Sequence, residues 1–131
     1  MKMQGLKRYS VFFLVGGIGY SVIEILWRGY THPTMFFAGG ISFALFSLIS
    51  SRFGYLPILF KAIIAACAVT AVELAFGIVF NLLLGMSVWD YSREPLNFLG
   101  QICLRFSVFW CALGFLLLPL ADYINKRLGV Q

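Results

Sequence analysis

The sequence predicts an all-α fold, a bundle of four transmembrane helices with both termini on the cytoplasmic side. Three observations predict it: four apolar stretches near the roughly 20 residues that cross a hydrocarbon core, turn-forming residues between them, and an uneven distribution of Lys and Arg. Of the 131 residues, 61% are hydrophobic and 11% charged, and the mean hydropathy is +0.92. Ten basic and five acidic side chains cannot cover a soluble core of this size. Soluble enzymes and nucleic-acid binders are thereby excluded, and the high isoelectric point, near 9.4, reads as a signal for orientation. The chain is expected to be one integral membrane domain, residues 1–131, in the inner (plasma) membrane with the lipid bilayer as its surroundings.

The first span is placed at Tyr9–Trp27. Lys2, Lys7 and Arg8 precede it as they would a signal peptide, but the run is long, contains Glu24 and ends in no small-x-small cleavage site, so it is expected to be retained. Turn residues Arg28 to Pro33 lead to a second span at Thr34–Ser51, with Pro33 where a first helical turn tolerates it. Ser51-Arg52-Phe53-Gly54 separates this from a third span, Pro57–Leu84, and a longer Gly85-to-Asn97 segment precedes the fourth, Phe98–Ala121. Gly16-Gly17 with Gly19, and Gly39-Gly40, offer two close-packing faces, one of them spare for a homodimer. One side of such a bundle carries Lys2, Lys7, Arg8, Arg52, Lys126 and Arg127, with Lys61 able to snorkel towards it, and the other only Arg28 and Arg93. The positive-inside rule makes the first side cytoplasmic.

Glu24, Glu73 and Arg105 fall several residues inside spans, where a charge costs about 2.5–3.5 kcal/mol on insertion scales and must face protein or water. Ser21-Val22-Ile23-Glu24 and Thr70-Ala71-Val72-Glu73 are similar locally and lie at one depth in the outer half, as a parallel duplication or as chance. Asn97, Gln101 and Arg105 at four-residue steps predict a polar stripe on the fourth helix, bringing Arg105 to bridge both carboxylates. Asn81 extends the polar face of the third span, and Gly77 leaves room for a neighbour or ligand. Two glutamates against one arginine favour an exchangeable proton, with Arg28 and His32 as further charge partners. Trp89, Asp90, Tyr91 and Ser92 form either a lid over this cluster or an interfacial anchor. Cys67, Cys103 and Cys111 all fall in spans and imply neither a disulfide framework nor a metal site. No cofactor, metal ligand set, catalytic residue or nucleotide-binding loop is expected; a membrane enzyme acting on a lipid headgroup, with a glutamate as base, is a third and lesser reading that lacks a recognisable nucleophile or metal site.

Trp27-Arg28-Gly29-Tyr30-Thr31-His32, Glu73, Trp89-Asp90-Tyr91-Ser92 and Pro95-x-Asn97-x-x-Gly100-Gln101-Ile102-Cys103-Leu104 together resemble the bacterial ABC-transporter type IV, or CmpB-like, family of permease-labelled proteins. The resemblance spans nearly the whole chain. It implies a small helical integral membrane protein related to transport, whose ATPase would be a separate chain. Phe12-Phe13-Leu14-Val15-Gly16-Gly17 also looks like the opening of the GtrA-like group, which is associated with moving lipid-linked sugars. Two functions lead: a transport or ligand-binding protein with a Glu/Arg site in the outer half of the bilayer, proton-linked; or a structural or accessory membrane subunit in which the same charges only staple the bundle.

Overall fold

The computed structural model describes residues 2–129, with side chains from residue 5; the terminal Gln131 and the side chain of Lys2, both assigned to the cytoplasmic side by sequence, lie outside the described residues. The chain forms α1 (Lys2–Arg28), α2 (Pro33–Arg52) and α3 (Ile58–Phe76), which runs on as a π-helical extension, Gly77–Leu83. A two-stranded hairpin, β1 (Asn97–Phe98) and β2 (Ile102–Cys103), then leads directly into α4 (Leu104–Arg127). Four segments, Gly5–Arg28, Pro33–Arg52, Ile58–Leu83 and Leu104–Arg127, are long and apolar enough to cross a membrane.

The glycines explain the tightest helix pair. A Cβ on Gly16 would sit 2.5 Å from the Gly39 carbonyl oxygen, and one on Gly40 would sit 2.7 Å from the Phe13 ring, so only glycine allows α1 and α2 this close. Gly16, Gly17, Gly39 and Gly40, expected to leave a surface for a homodimer, are thus spent on packing within one chain, and of the glycines on those two faces only Gly19 stays open. α3 packs chiefly on α4, and α2 touches both. Phe12, Phe43, Phe46, Val69 and Leu118 fill the centre.

The fourth helix departs from expectation. Phe98–Ala121 was the predicted span, but the helix begins at Leu104 and continues to Arg127. Leu96, Leu99 and Gly100 have φ of 55°, 56° and 70°, which a right-handed helix cannot contain. The Gln101 N–H donates to the Phe98 carbonyl at 3.0 Å, closing a hairpin turn whose two central residues both have positive φ. Asn97, Gln101 and Arg105 therefore do not form one helical stripe: they sit on a strand, at the end of a turn, and in the first turn of α4.

Candidate functional site

Glu73 lies on the buried face of α3, 6% exposed. The α4 indole Trp110 Nε1 donates to its Oε1 at 2.8 Å, and the Tyr91 hydroxyl donates to its Oε2 at 3.2 Å. Burial pushes the Tyr91 phenol above its ordinary value, which keeps it protonated and a donor. Tyr91 is also stacked on Phe106 at 4.8 Å and 12° between planes, while Tyr20 of α1 meets Trp110 edge-on at 5.7 Å. Beside this group Glu24, 8% exposed, forms an ion pair with Arg28 one turn on, with 2.6 Å between Oε2 and Nε. Arg28 also donates to the Val88 carbonyl at 2.9 Å and lies 4.4 Å from the Tyr30 ring, so it fastens the end of α1 to the connection before the hairpin.

That connection covers the cluster. Trp89 is buried and its Nε1 donates to the Gln101 carbonyl at 3.0 Å. Asn81 on the π-helical extension donates to Gln101 Oε1 at 2.7 Å and accepts from the Val88 N–H at 2.6 Å. Gly77 leaves the space that Gln101 fills: a Cβ there would fall 2.6 Å from Gln101 Oε1. Asp90 and Ser92, by contrast, face outward, where the Ser92 N–H donates to Asp90 Oδ1 at 2.9 Å and holds that carboxyl below the usual carboxylate range. Asn97 braces the same loop by donating to the Glu94 carbonyl at 2.8 Å.

The structure brings together Glu24, Arg28, Glu73, Trp89 and Tyr91, with Asn81 and Gln101 holding the cover. Arg105 does not bridge the two glutamates. It stands at the exposed start of α4 with NH1 3.5 Å from Glu94, because the hairpin takes the residues that would have placed it deeper. His32 caps α2, its Nδ1 accepting from the Thr34 N–H at 3.2 Å, and is no partner of the glutamates. Trp110 and Tyr20 were missed from the sequence. An indole inside a span is a donor that needs an acceptor, and that signal points to Glu73.

Below the cluster lies a half-open, almost wholly apolar cavity of about 190 Å³, with Glu73, Tyr20, Trp89 and Trp110 at its head and Phe46, Leu117 and Leu120 towards its foot. Val15, Gly19 and Ile23 of α1 and Leu120 of α4 are exposed at its rim. These positions are apolar and lie within the spans, so the mouth faces sideways between α1 and α4. The opposite end of the bundle carries a second polar network that sequence reading missed. Arg8 Nε donates to Ser47 Oγ at 2.9 Å and Asn125 Oδ1 at 3.0 Å, and NH2 donates to Ser51 Oγ at 2.8 Å, tying α1 to α2 and α4.

Residues 10–129 match the family model described as "Putative ABC-transporter type IV". The chain belongs to this family. The resemblance read from the Trp-Asp-Tyr-Ser and Gly-Gln-Ile-Cys segments is thereby borne out, and within the ABC-transporter type IV chain those segments are the cover over Glu73 and the hairpin that seats it. No curated protein and no solved structure matches the chain. The family description and the four apolar helices make it a multi-pass, ABC-transporter-related membrane protein.

Proposed function

We propose that this family member is a small transport or ligand-binding protein of the inner membrane, whose site is the head of the lateral cavity. Glu73 is its binding and proton-carrying group, Glu24 and Arg28 are the charged companions, and Trp89 and Tyr91 are the cover. One observation carries this: Glu73 is buried on a cavity wall, held by two neutral donors, and among the described residues no Lys or Arg lies within ion-pair distance of it. A carboxylate kept in a poorly solvated place without a counter-charge is costly for a purely structural part. Each carboxylate oxygen accepts more than one bond, so both retain capacity for a ligand or proton. The groups facing Glu73 are Trp110 of α4, Tyr91 of the cover, and Tyr20 and Glu24 of α1, with Arg28 beyond Glu24. Two acids against one arginine leave one negative charge, which a proton or a cation completes.

Replacing Glu73 by Gln decides between site and staple. In a ligand or proton site the neutral amide removes a buried charge, and thermal stability in lipid nanodiscs is kept or raised. An infrared carboxyl band that titrates in the parent should be absent from Glu73→Gln. If Glu73→Gln instead loses about 1–3 kcal/mol, the cost of stranding buried donors, and no carboxyl band titrates in the parent, the site reading fails.

The second reading, an accessory subunit serving a separate ATPase chain, is favoured by the completeness of the Arg28 latch. Arg28 joins Glu24 to the Val88 carbonyl, and the Trp110 and Tyr91 donors join α3 to α4 and the cover. It predicts the second pattern.

A further inference from the structure

We infer that the cavity takes a lipophilic monocation, an amine or quaternary ammonium whose charged head meets Glu73 and whose apolar tail lies along the groove between α1 and α4. This rests on Glu73 being a ligand site and names the class of ligand. Four features of the cavity converge on it.

Charge is the first. Glu73 is the one ionisable carboxylate among the lining residues, and the guanidinium of Arg28, whose charge acts on Tyr20 at the cavity head, is committed to Glu24 and the Val88 carbonyl. An anion would be repelled there, and a neutral hydrocarbon would leave the carboxylate without a counter-charge. Aromatic side chains are the second. Tyr20, Trp89 and Trp110 wall the head of the cavity around Glu73. Ring faces attract cations most strongly where water is excluded, and aromatic walls are the common device for quaternary ammonium groups.

Shape is the third. The cavity runs from Trp110 to Leu120 on α4, which at about 1.5 Å per residue is about 15 Å, the span of a medium alkyl chain and a headgroup. Its volume of about 190 Å³ exceeds the roughly 150 Å³ in which a dry apolar cavity holds benzene. The fourth is access. The exposed rim at Val15, Gly19, Ile23 and Leu120 opens towards the lipid-facing side of the spans, so the ligand must partition into the bilayer first. A strongly hydrated cation gains nothing from these walls. A cation with an apolar tail satisfies all four.

The probe is labelled octyltrimethylammonium, dialysed to equilibrium against the full chain in nanodiscs, with empty nanodiscs correcting for partition into lipid. Saturable binding above the empty discs is expected, weakened at least tenfold by Glu73→Gln. The uncharged isostere 2,2-dimethyldecane and the anion octyl sulfonate should compete at least tenfold less well. Binding no greater than to empty discs, equal competition by the isostere, or an unaltered Glu73→Gln each overturns the proposal. Should Glu73→Gln fail to fold, Tyr20→Phe should bind within about threefold of the parent, because it keeps a ring face, and Tyr20→Leu should lose most of the affinity. Equal affinities in those two variants overturn it as well. Absent cation binding together with a Glu73→Gln protein as stable as the parent rejects the cation class and leaves the ligand site standing. Absent binding together with a destabilised Glu73→Gln removes both.

Discussion

Arg8 and Glu73 are both charged side chains hydrogen-bonded to neutral partners, at opposite ends of the same bundle, and their surroundings give them different work. The Arg8 donors are distributed over Ser47, Ser51 and Asn125, so the planar guanidinium acts as a bracket among three helices. Arg8→Leu leaves Ser47 and Asn125 bonded to each other at 2.9 Å. Its cost should therefore be about 1–3 kcal/mol, as for a part-buried hydrogen-bonded group. Arg8→Lys, a point charge without the fork, should recover only part of that. Thermal unfolding in detergent measures both, and equal stability of parent and Arg8→Leu would show the bracket to be idle. Arg8 looked like one more topology-setting basic residue near a terminus, and neither Ser47 nor Asn125 stood out in its apolar helix. The acceptors that reveal its role are 39 and 117 residues away, beyond any local pattern.

At the scale of elements, the hairpin and the π-helical extension work as one unit, because Gln101 occupies the space left by Gly77 and its amide reaches Asn81. Gly77→Ala should push Gln101 out: the new Cβ would also fall 2.7 Å from the Gln101 Cβ, which cannot swing away as a side-chain tip could. Trp89 would then lose its seat on the Gln101 carbonyl. Faster amide hydrogen exchange over residues 88–92 and a red-shifted tryptophan emission are expected, with the four spans intact; unchanged exchange would mean the cover is held by Tyr91 and Arg28 alone. Hydropathy made all four spans legible, since length and apolarity are what a bilayer selects. It erred at Phe98, because Phe98-Leu99-Gly100-Gln101-Ile102-Cys103 is apolar enough to continue a span and the positive φ of Leu96 and Leu99 has no residue signature. Asn97 and Gly100 were the available turn signals. The site was half legible for the same reason. Glu24 and Glu73 stand out in any apolar helix, whereas the partner chosen by Arg105 depended on where α4 begins.

For the whole molecule, the late start of α4 moves Arg105 to the loop end of the bundle, which alters the charge count from which orientation is argued. Lys2, Lys7, Arg8, Arg52, Lys61, Lys126 and Arg127 belong to the end that carries both termini, and Arg28, Arg93 and Arg105 to the end that carries the cover. The asymmetry survives the shift, and acidic partners such as Glu94 beside Arg105 weigh little in the rule. The expected orientation is therefore termini inward and the Trp89-to-Asn97 segment outward. Single-cysteine labelling with an impermeant maleimide in intact cells tests it, after Cys67, the exposed native thiol, and Cys103 and Cys111 are replaced. A cysteine at Ser92, exposed in the cover, should react without lysis. One at Tyr55, 78% exposed in the connection between α2 and α3, should react only after it. The reverse pattern would place Glu73 in the inner leaflet, so that a cation entering from the bilayer would be drawn from the cytoplasmic lipid pool.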